Sequence, residues 1–217
     1  TGGTARLVVL PNSVQSPTKI LEKIKNNKIK FKIFGNGSNI LASDDYFDGV
    51  IIKLTKLNNY EIKGKKVSAE AGVSFPMLCT CTYKLGLSGL EFGGGIPGTV
   101  GGVVYMNAGA YLSDISEVLE KVDILDENLN KKTIKKEDLH FSYRNSTFMK
   151  KNWIILKAYF NLKQDNKEEI LTLVSDRKNR RVASQPLEYP SAGSVFRNPQ
   201  NKYAGEMIEN CNLKGYT

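Results

Sequence analysis

The sequence has few of the residues that build disulfide frameworks or metal sites. Its 217 residues include three cysteines and one histidine. Cys79, Cys81 and Cys211 match neither a disulfide framework nor a C-x-x-C pair, so we expect reduced thiols, no metal site and a cytoplasmic location. No run of about 18 apolar residues is present, which excludes a transmembrane helix. The sequence starts at Thr1 and stops at Thr217, and both ends look like truncations of a longer protein.

The sequence also lacks the two best-known phosphate loops. It has no Gly-Lys-Ser/Thr, which excludes a P-loop. Residues 93–102, GGGIPGTVGG, contain a formal G-x-G-x-x-G. However, no parallel-strand pattern precedes this stretch, and Pro97 stands where a helix should start, so a Rossmann-type fold is not expected.

Positive charge is plentiful, with 31 Lys and Arg against 22 Asp and Glu and a net charge of +9. Three interpretations stay open: a nucleic-acid partner, a pocket for anionic small molecules, or a lysine-rich solvated surface. No basic stripe alternates with exposed aromatics, as it would on a strand-binding platform, so nucleic acid is not expected as a partner.

The hydrophobic pattern predicts an α+β protein with mixed α/β elements. A lobe over 1–55, a second over 56–163 and an incomplete third over 164–217 are expected. Strands are predicted at 5–11 (buried), 28–34, 50–54, 118–125 and 153–160, with a hairpin around Lys63-Gly64 and a Lys-rich turn after 125. Helices are predicted from Ser16-Pro17, from Ser74 (Met77, Leu78, Cys81 and Leu85 inward), over 167–181 and over 204–211, with an extended linker between Pro186 and Pro190.

The helix over 167–181 has acids at its start and bases at its end. Glu168 and Glu169 open it, and its last turns carry Arg177, Arg180 and Arg181. This order complements the helix dipole, so simple helix stabilisation is the expected role of these charges.

Small-residue loops are the strongest candidates for a binding site. Residues 35–39, GNGSN, directly follow a predicted strand, and residues 107–110, NAGA, form another such stretch. Glycines let successive backbone N–H groups converge on phosphate oxygens. A tight turn is the preferred explanation of GNGSN taken alone, but two glycine-rich loops in a basic chain favour a cofactor with a pyrophosphate.

Five motifs occur in one order: GNGSNIL, GLEFGGGIPGTVGG, YMNAGAY, FSYRNS and SAGSVFRNP. Through these five ordered motifs the sequence closely resembles the bacterial UDP-N-acetylenolpyruvoylglucosamine reductases, which are flavoenzymes of peptidoglycan precursor synthesis. The resemblance is to their shorter, Gram-positive-like subtype. The resemblance implies a two-lobed FAD-binding fold of the vanillyl-alcohol-oxidase-like type with a third, substrate-binding lobe. It also implies a monomer with roles in cell wall biogenesis, cell shape and cell division.

The resemblance implies FAD as cofactor and NADPH as reductant, acting on a UDP-sugar substrate. The positions that match the family's flavin contacts are Gly35, Asn36, Gly37, Ser38, Asn39, Gly95, Gly98, Thr99, Gly101, Gly102, Asn107, Ala108 and Gly109. Arg144 matches the arginine that stabilises developing negative charge, and Ser194 matches the proton donor. Tyr143 and Asn198 match or adjoin substrate contacts. His140 matches no catalytic position and is expected in a loop.

Two departures from the family pattern stand out. Leu112 follows NAGAY where the family usually has glycine, and the family's catalytic glutamate lies beyond the point where this sequence stops. Without that glutamate the fragment is expected to be inactive. The alternatives are a flavin-dependent oxidase on the same fold and a non-enzymatic nucleotide-binding module.

Overall fold

The computed structural model describes residues 2–185 and 193–216. Contacts between residues divide the chain into two units, 1–184 and 185–217, and each is described by itself. The expected linker between Pro186 and Pro190 lies outside the described residues. The three lobes with boundaries after residues 55 and 163 stay a prediction.

The described residues of the first unit form twelve strands and four α-helices, and those of the second form one α-helix. The strands are β1 Thr4–Val9, β2 Phe31–Phe34, β3 Tyr46–Lys53, β4 Tyr60–Lys63, β5 Lys66–Glu70, β6 Leu87–Ser88, β7 Gly109–Ala110, β8 Ser113–Asp114, β9 Leu119–Leu125, β10 Lys131–Lys135, β11 Ile154–Asn161 and β12 Lys163–Gln164. The helices are α1 Ser16–Asn26, α2 Phe75–Lys84, α3 Val100–Met106, α4 Lys167–Ser184 and α5 Ala204–Asn210.

A small parallel sheet opens the first unit, with the strand order β1-β3-β2. Leu21 and Ile24 of α1 are buried, as the apolar spacing predicts. The prediction that β1 is buried is wrong, because it is an edge strand and its Leu7 is 53% exposed. Ser16 was predicted as the N-cap of α1, but it is the first residue of the helix. The Ser16 hydroxyl is hydrogen-bonded to the Ser13 hydroxyl at 2.8 Å.

A five-stranded antiparallel sheet forms the main layer, in the order β10-β9-β11-β5-β4. The β4–β5 pair confirms the predicted hairpin at Lys63-Gly64. The segment predicted as a Lys-rich turn is strand β10, because the turn is completed earlier. Asp126 accepts hydrogen bonds from the backbone N–H groups of Asn128 and Asn130, both at 2.9 Å, and so closes that turn.

Helix α2 is present where the sequence predicts it, but it buries a different face. Met77 is 38% exposed and Leu85 is 55% exposed, so the predicted apolar stripe is wrong at these positions. The buried residues are Phe75, Leu78, Cys79, Thr82 and Tyr83. Thr82 and Tyr83 are admitted because their hydroxyls donate to backbone carbonyls, of Cys79 at 2.8 Å and of Leu90 at 2.6 Å.

Helix α3 was not expected, and it begins near the end of the glycine cluster, residues 93–102. Pro97 precedes the helix instead of preventing it, and Thr99 occupies the N-cap, where its Oγ1 accepts from Gly102 N–H at 3.4 Å. The helix packs on β5 and β11 of the main sheet, while α4 packs on α2 and β6. Among the described residues, no helix is long and apolar enough to span a membrane.

Candidate functional site

The loop Gly35–Asn39 continues directly from the carboxyl end of β2, and residues 36–39 are exposed. Gly37 has a positive φ of 80°, and a Cβ there would meet no atom within 4 Å. Within the described residues, the backbone N–H groups of 37–39 have no protein acceptor. These N–H groups are therefore available to an anion.

The two glycine-rich segments meet, although about 60 positions separate them in sequence. Ser38 Oγ donates to the carbonyl oxygen of Pro97. A Cβ on Gly35 would lie 2.5 Å from Thr99 Oγ1, so only glycine permits this approach. Gly98 lies beside Ser38, since a Cβ on Gly98 would be 3.6 Å from the hydroxyl oxygen. The first loop and the glycine cluster thus form one contiguous surface.

Some glycines of the cluster serve packing within the protein. Gly101 N–H donates to Ala71 O at 2.9 Å, and a Cβ on Gly101 would lie 2.9 Å from the Ala71 Cβ. Gly102 N–H is engaged by the Thr99 cap. The backbone N–H donors of Gly101 and Gly102 are therefore already used, and of the two only Gly102 is exposed.

Asn107 is a buried structural residue at the end of α3, in the left-handed conformation with φ 42°. Its Nδ2 donates to Asp114 Oδ2 and to Ser142 O, both at 3.0 Å, and its Oδ1 accepts from Ser116 N–H at 3.3 Å. A Cβ on Gly109 would collide with the carbonyl oxygen of Ser113 on the paired strand β8. The side-chain amide of Asn107 is thus occupied in shaping this loop.

Arg144 is brought against the same loop. Its Nη1 donates to Asn107 O at 3.3 Å and its Nη2 to Gly109 O at 2.6 Å. The residue has φ 52°, inside a tight turn closed by paired hydrogen bonds between Ser142 and Asn145. Ser146, which follows this turn in the chain, donates to Tyr105 O at 2.6 Å and so ties the turn to α3.

The electrostatics of Arg144 follow from these partners. Both acceptors are neutral carbonyl oxygens, and no carboxylate of the described residues pairs with the guanidinium. Two of the five guanidinium N–H donors are used, and three remain. The charge lies 5.1 Å from the centre of the Tyr143 ring, which is 52% exposed. A fixed, uncompensated cation beside an exposed aromatic ring suits an anionic ligand.

The remaining predicted site residues, Ser194 and Asn198, belong to the second unit. There Asn198 Oδ1 accepts from Ala204 N–H at 3.1 Å at the start of α5. His140 ends a short 3-10 turn with φ 43°, in a loop as expected. Burial raises the pKa of the Cys79 thiol to about 12, so this cysteine stays protonated and unreactive. The described residues contain no group of His, Cys, Asp and Glu that could hold a metal ion.

Arg177 and Arg181 of α4 were assigned only to helix stabilisation, yet Arg181 contacts a predicted site residue and Arg177 contacts Tyr111, two positions after the predicted site residue Gly109. The Arg181 guanidinium donates to the carbonyl oxygen of Gly95. The Arg177 guanidinium lies 4.7 Å from the centre of the Tyr111 ring. A usable signal was present in the sequence: both arginines continue the helical spacing of the apolar residues Ile170 and Val174.

Comparison with known proteins gives two family models that match parts of the chain. A family model described as FAD binding domain matches residues 5–128, and one described as UDP-N-acetylenolpyruvoylglucosamine reductase, C-terminal domain, matches residues 185–217. The reductase of Caldanaerobacter subterraneus subsp. tengcongensis is 43% identical over 216 residues, covering 100% of this chain and 72% of the relative. That of Bacillus subtilis strain 168 is 44% identical over 217 residues, covering 99% and 72%.

Solved structures show the same relationship. The crystal structure of UDP-N-acetylenolpyruvylglucosamine reductase from Thermus caldophilus has a TM-score of 0.82 and 29% identity, covering 95% of this chain and 73% of that one. A glucose dehydrogenase, Phl p 4.0202, has a TM-score of 0.57 at 14% identity, covering 74% and 35%, and shares the fold alone. The fold is thus the expected mixed α/β, oxidase-like FAD-binding fold. This chain, an FAD-dependent oxidoreductase, belongs to the UDP-N-acetylenolpyruvoylglucosamine reductase family.

Proposed function

We propose that the protein uses NADPH and FAD to reduce UDP-N-acetylenolpyruvoylglucosamine to UDP-N-acetylmuramate. Support comes from relatives that are named for this substrate and are 43–44% identical to the chain. In the proposed reaction a hydride and a proton add across the enolpyruvyl double bond, and NADPH becomes NADP⁺. The proton comes from the protein or from water, so the atoms balance.

The loops of the first unit fit a flavin dinucleotide. Gly37, Ser38 and Asn39 offer backbone N–H groups without protein acceptors among the described residues, and their loop adjoins Gly98 and Thr99. We propose that Gly35–Asn39 hold the diphosphate and that Gly95, Gly98, Thr99, Gly101, Gly102 and Asn107–Gly109 line the rest of the cofactor. Bound there, FAD supplies two-electron chemistry: it accepts hydride from the reductant and returns it to the substrate.

The observation that carries the proposal is the setting of Arg144. Hydride addition to the enolpyruvyl group pushes negative charge toward its carboxylate. A fixed donor at such a charge contributes about 2.7–4 kcal/mol to transition-state stabilisation. Arg144 is held by two backbone carbonyls and has no carboxylate partner in the described residues, so its charge is not already neutralised. Tyr143 and Asn198 are proposed to contact the substrate.

Ser194 is proposed as the proton donor to the adjacent carbon. A serine hydroxyl is a weak acid, so this role needs coupling to a nearby charge or to water. The reaction has two half-reactions: NADPH reduces the flavin, and the enolpyruvyl substrate then reoxidises it. Because proton donation is needed only in the second, loss of the Ser194 hydroxyl should affect that half-reaction alone.

A Ser194→Ala variant tests this assignment in the full-length gene product. NADPH should still bleach the flavin absorbance at the wild-type rate, while reoxidation by the enolpyruvyl substrate should slow by about 100-fold or more, as for loss of a general acid. Stopped-flow absorbance measures both steps. Ser175→Ala, on the exposed part of α4, is the matched control and should change neither.

Three results would contradict the proposal. Equal slowing of both half-reactions would remove the proton-donor role of Ser194. Reoxidation by oxygen with a sugar or alcohol as reductant would indicate the oxidase alternative. A protein that takes up no FAD would remove the function altogether.

The same proposal assigns the protein to peptidoglycan precursor synthesis in the cytoplasm, and through it to cell shape and division. We also propose a monomer, as the family resemblance implies. Size-exclusion chromatography with light scattering tests the oligomeric state directly.

A further inference from the structure

One face of α4 changes character along its length. Ile170 is buried and Val174 packs against the hydrophobic core, and the same face continues with Arg177 and Arg181. The spacing is i, i+4, i+7 and i+11, which keeps all four side chains on one side of the helix. The arginine face, defined as Arg177 and Arg181, is less exposed than Lys178 and Arg180 beside it.

Arg177 joins α4 to the loop that follows Gly109. Its guanidinium lies over the ring of Tyr111 at 4.7 Å, and the Tyr111 hydroxyl donates to the Arg177 carbonyl oxygen at 3.1 Å. Side chain and main chain of one residue thus hold the same tyrosine. Tyr111 is close in sequence to Gly109, whose carbonyl oxygen anchors Arg144.

Arg181, one turn further on, joins α4 to the glycine cluster. Its Nη1 donates to Gly95 O, and a Cβ on Gly95 would collide with that nitrogen. The guanidinium is the end of a flexible side chain, so this contact ties α4 to the glycine cluster without by itself requiring glycine at position 95.

We propose that the arginine face of α4 is a positioning element that holds the glycine cluster and the 107–112 loop at the separation that flavin binding requires. The inference rests on the proposed function, because both segments are assigned there to the cofactor. Arg177 and Arg181 act through Tyr111 and Gly95, and neither needs to touch the flavin. The competing explanation for Arg177 and Arg181 is a general interaction with the helix dipole, to which every basic side chain near the end of the helix contributes similarly.

Arg180 provides the matched control. It is exposed and pairs with Asp176 at 2.9 Å, one turn away on α4. Its removal takes the same charge from the same end of the helix without touching either loop.

The experiment compares Arg177→Ala, Arg181→Ala and Arg180→Ala. Titration of the apoprotein with FAD, followed by flavin fluorescence quenching, should show about tenfold weaker binding for the first two, equivalent to 1.4 kcal/mol. Arg180→Ala should remain at the wild-type affinity. Arg181→Lys, which keeps a charged donor, should recover part of the loss.

Hydrogen exchange of the apoprotein provides a readout that needs no flavin. Amides of residues 93–98 should exchange faster in Arg181→Ala than in Arg180→Ala, and those of 109–113 should exchange faster in Arg177→Ala. If the alanine variants do not fold, Arg181→Gln and Arg177→Gln, which remove the charge and keep more of the side chain, carry the same comparison against Arg180→Gln.

The outcomes separate this inference from the proposed function. If wild type binds FAD and all three alanine variants bind it equally, the positioning role is wrong and the function stands. If wild type takes up no FAD, the function fails. In that case, equal exchange in Arg181→Ala and Arg180→Ala would overturn the positioning role as well.

Discussion

Left-handed backbone at Tyr111 and Leu112 is the residue-scale feature that most affects the site loop. Their φ angles are 54° and 65°, and the Leu112 side chain is 100% exposed. A residue with a Cβ pays about 1–2 kcal/mol in this conformation. The family resemblance anticipates glycine at 112, and the positive φ gives the physical reason. Leucine is accommodated because the β7–β8 pairing and the Tyr111–Arg177 contact hold the loop.

Leu112→Gly should stabilise the protein by up to about 1 kcal/mol, because relief of the left-handed strain exceeds the entropy cost of an added glycine. The shift in the urea midpoint measures this change. Leu112→Ala is the control: it removes the same exposed apolar surface but keeps the Cβ, so it should leave the midpoint unchanged. Equal gains in both variants would show that exposed leucine, rather than backbone strain, is the cause.

At the scale of elements, the β9–β10 turn is held by one carboxylate. Asp126 is 4% exposed and pairs with Lys132 Nζ at 2.7 Å, besides accepting the two backbone hydrogen bonds that close the turn. The hydrogen bond from Lys132 is the main cause that lowers the pKa of Asp126 from 3.8 to about 2. The turn is therefore built around the ionised carboxylate.

The pH dependence follows from the sign of this shift. A folded-state pKa below the unfolded one gives stability that is complete above about pH 4 and is lost as the pH falls toward 2. Asp126→Asn should lower stability at pH 7 and should flatten this part of the profile. Denaturant melts at several pH values measure both effects.

The control for the pH experiment is Asp48→Asn. Asp48 forms an exposed ion pair with Arg6 at 3.4 Å, which contributes little to stability. An unchanged acid profile in Asp126→Asn would contradict the assignment of this turn to the carboxylate.

The elements also show where local patterns stop being informative. The turn before β10 and the hairpin at Lys63-Gly64 both depend on short-range chemistry and both were predicted. The first was predicted too long, because the Asp126 side chain that closes it is a weaker signal than the glycine of the hairpin. Helix α2 was located from its apolar spacing, whereas its buried face includes Thr82 and Tyr83, which a search for aliphatic residues passes over. Burial there depends on hydrogen-bond partners that the helix itself does not reveal.

At the scale of the whole molecule, the candidate site is assembled from distant segments of the first unit. Ser38 meets Pro97, Gly109 meets Arg144, and Gly95 meets Arg181. Each contact joins positions that are at least 35 residues apart. A ligand that contacts several of these segments should therefore stabilise the folded unit as a whole.

FAD should raise the melting temperature of the apoprotein in a concentration-dependent way. A ligand at 100 times its Kd adds about 2.7 kcal/mol to stability, because it binds the folded state alone. Differential scanning fluorimetry with a dye outside the flavin emission range measures the shift. Riboflavin, which lacks the diphosphate and the adenosine, is the control and should raise the melting temperature less. Equal shifts would argue against a role of the 35–39 loop in holding the diphosphate.

The sequence by itself determined the family, the class of cofactor and most of the strands and helices, because motif order and periodicity are properties of neighbouring residues. The tertiary structure decided that β1 is exposed, that Pro97 leads into α3, and that the arginines of α4 reach two loops of the site. These features depend on contacts between residues far apart in the chain. Such contacts arise only when the sheets and helices pack together. A local pattern shows at most which face of a helix turns inward, as for Arg177 and Arg181, and not what that face meets.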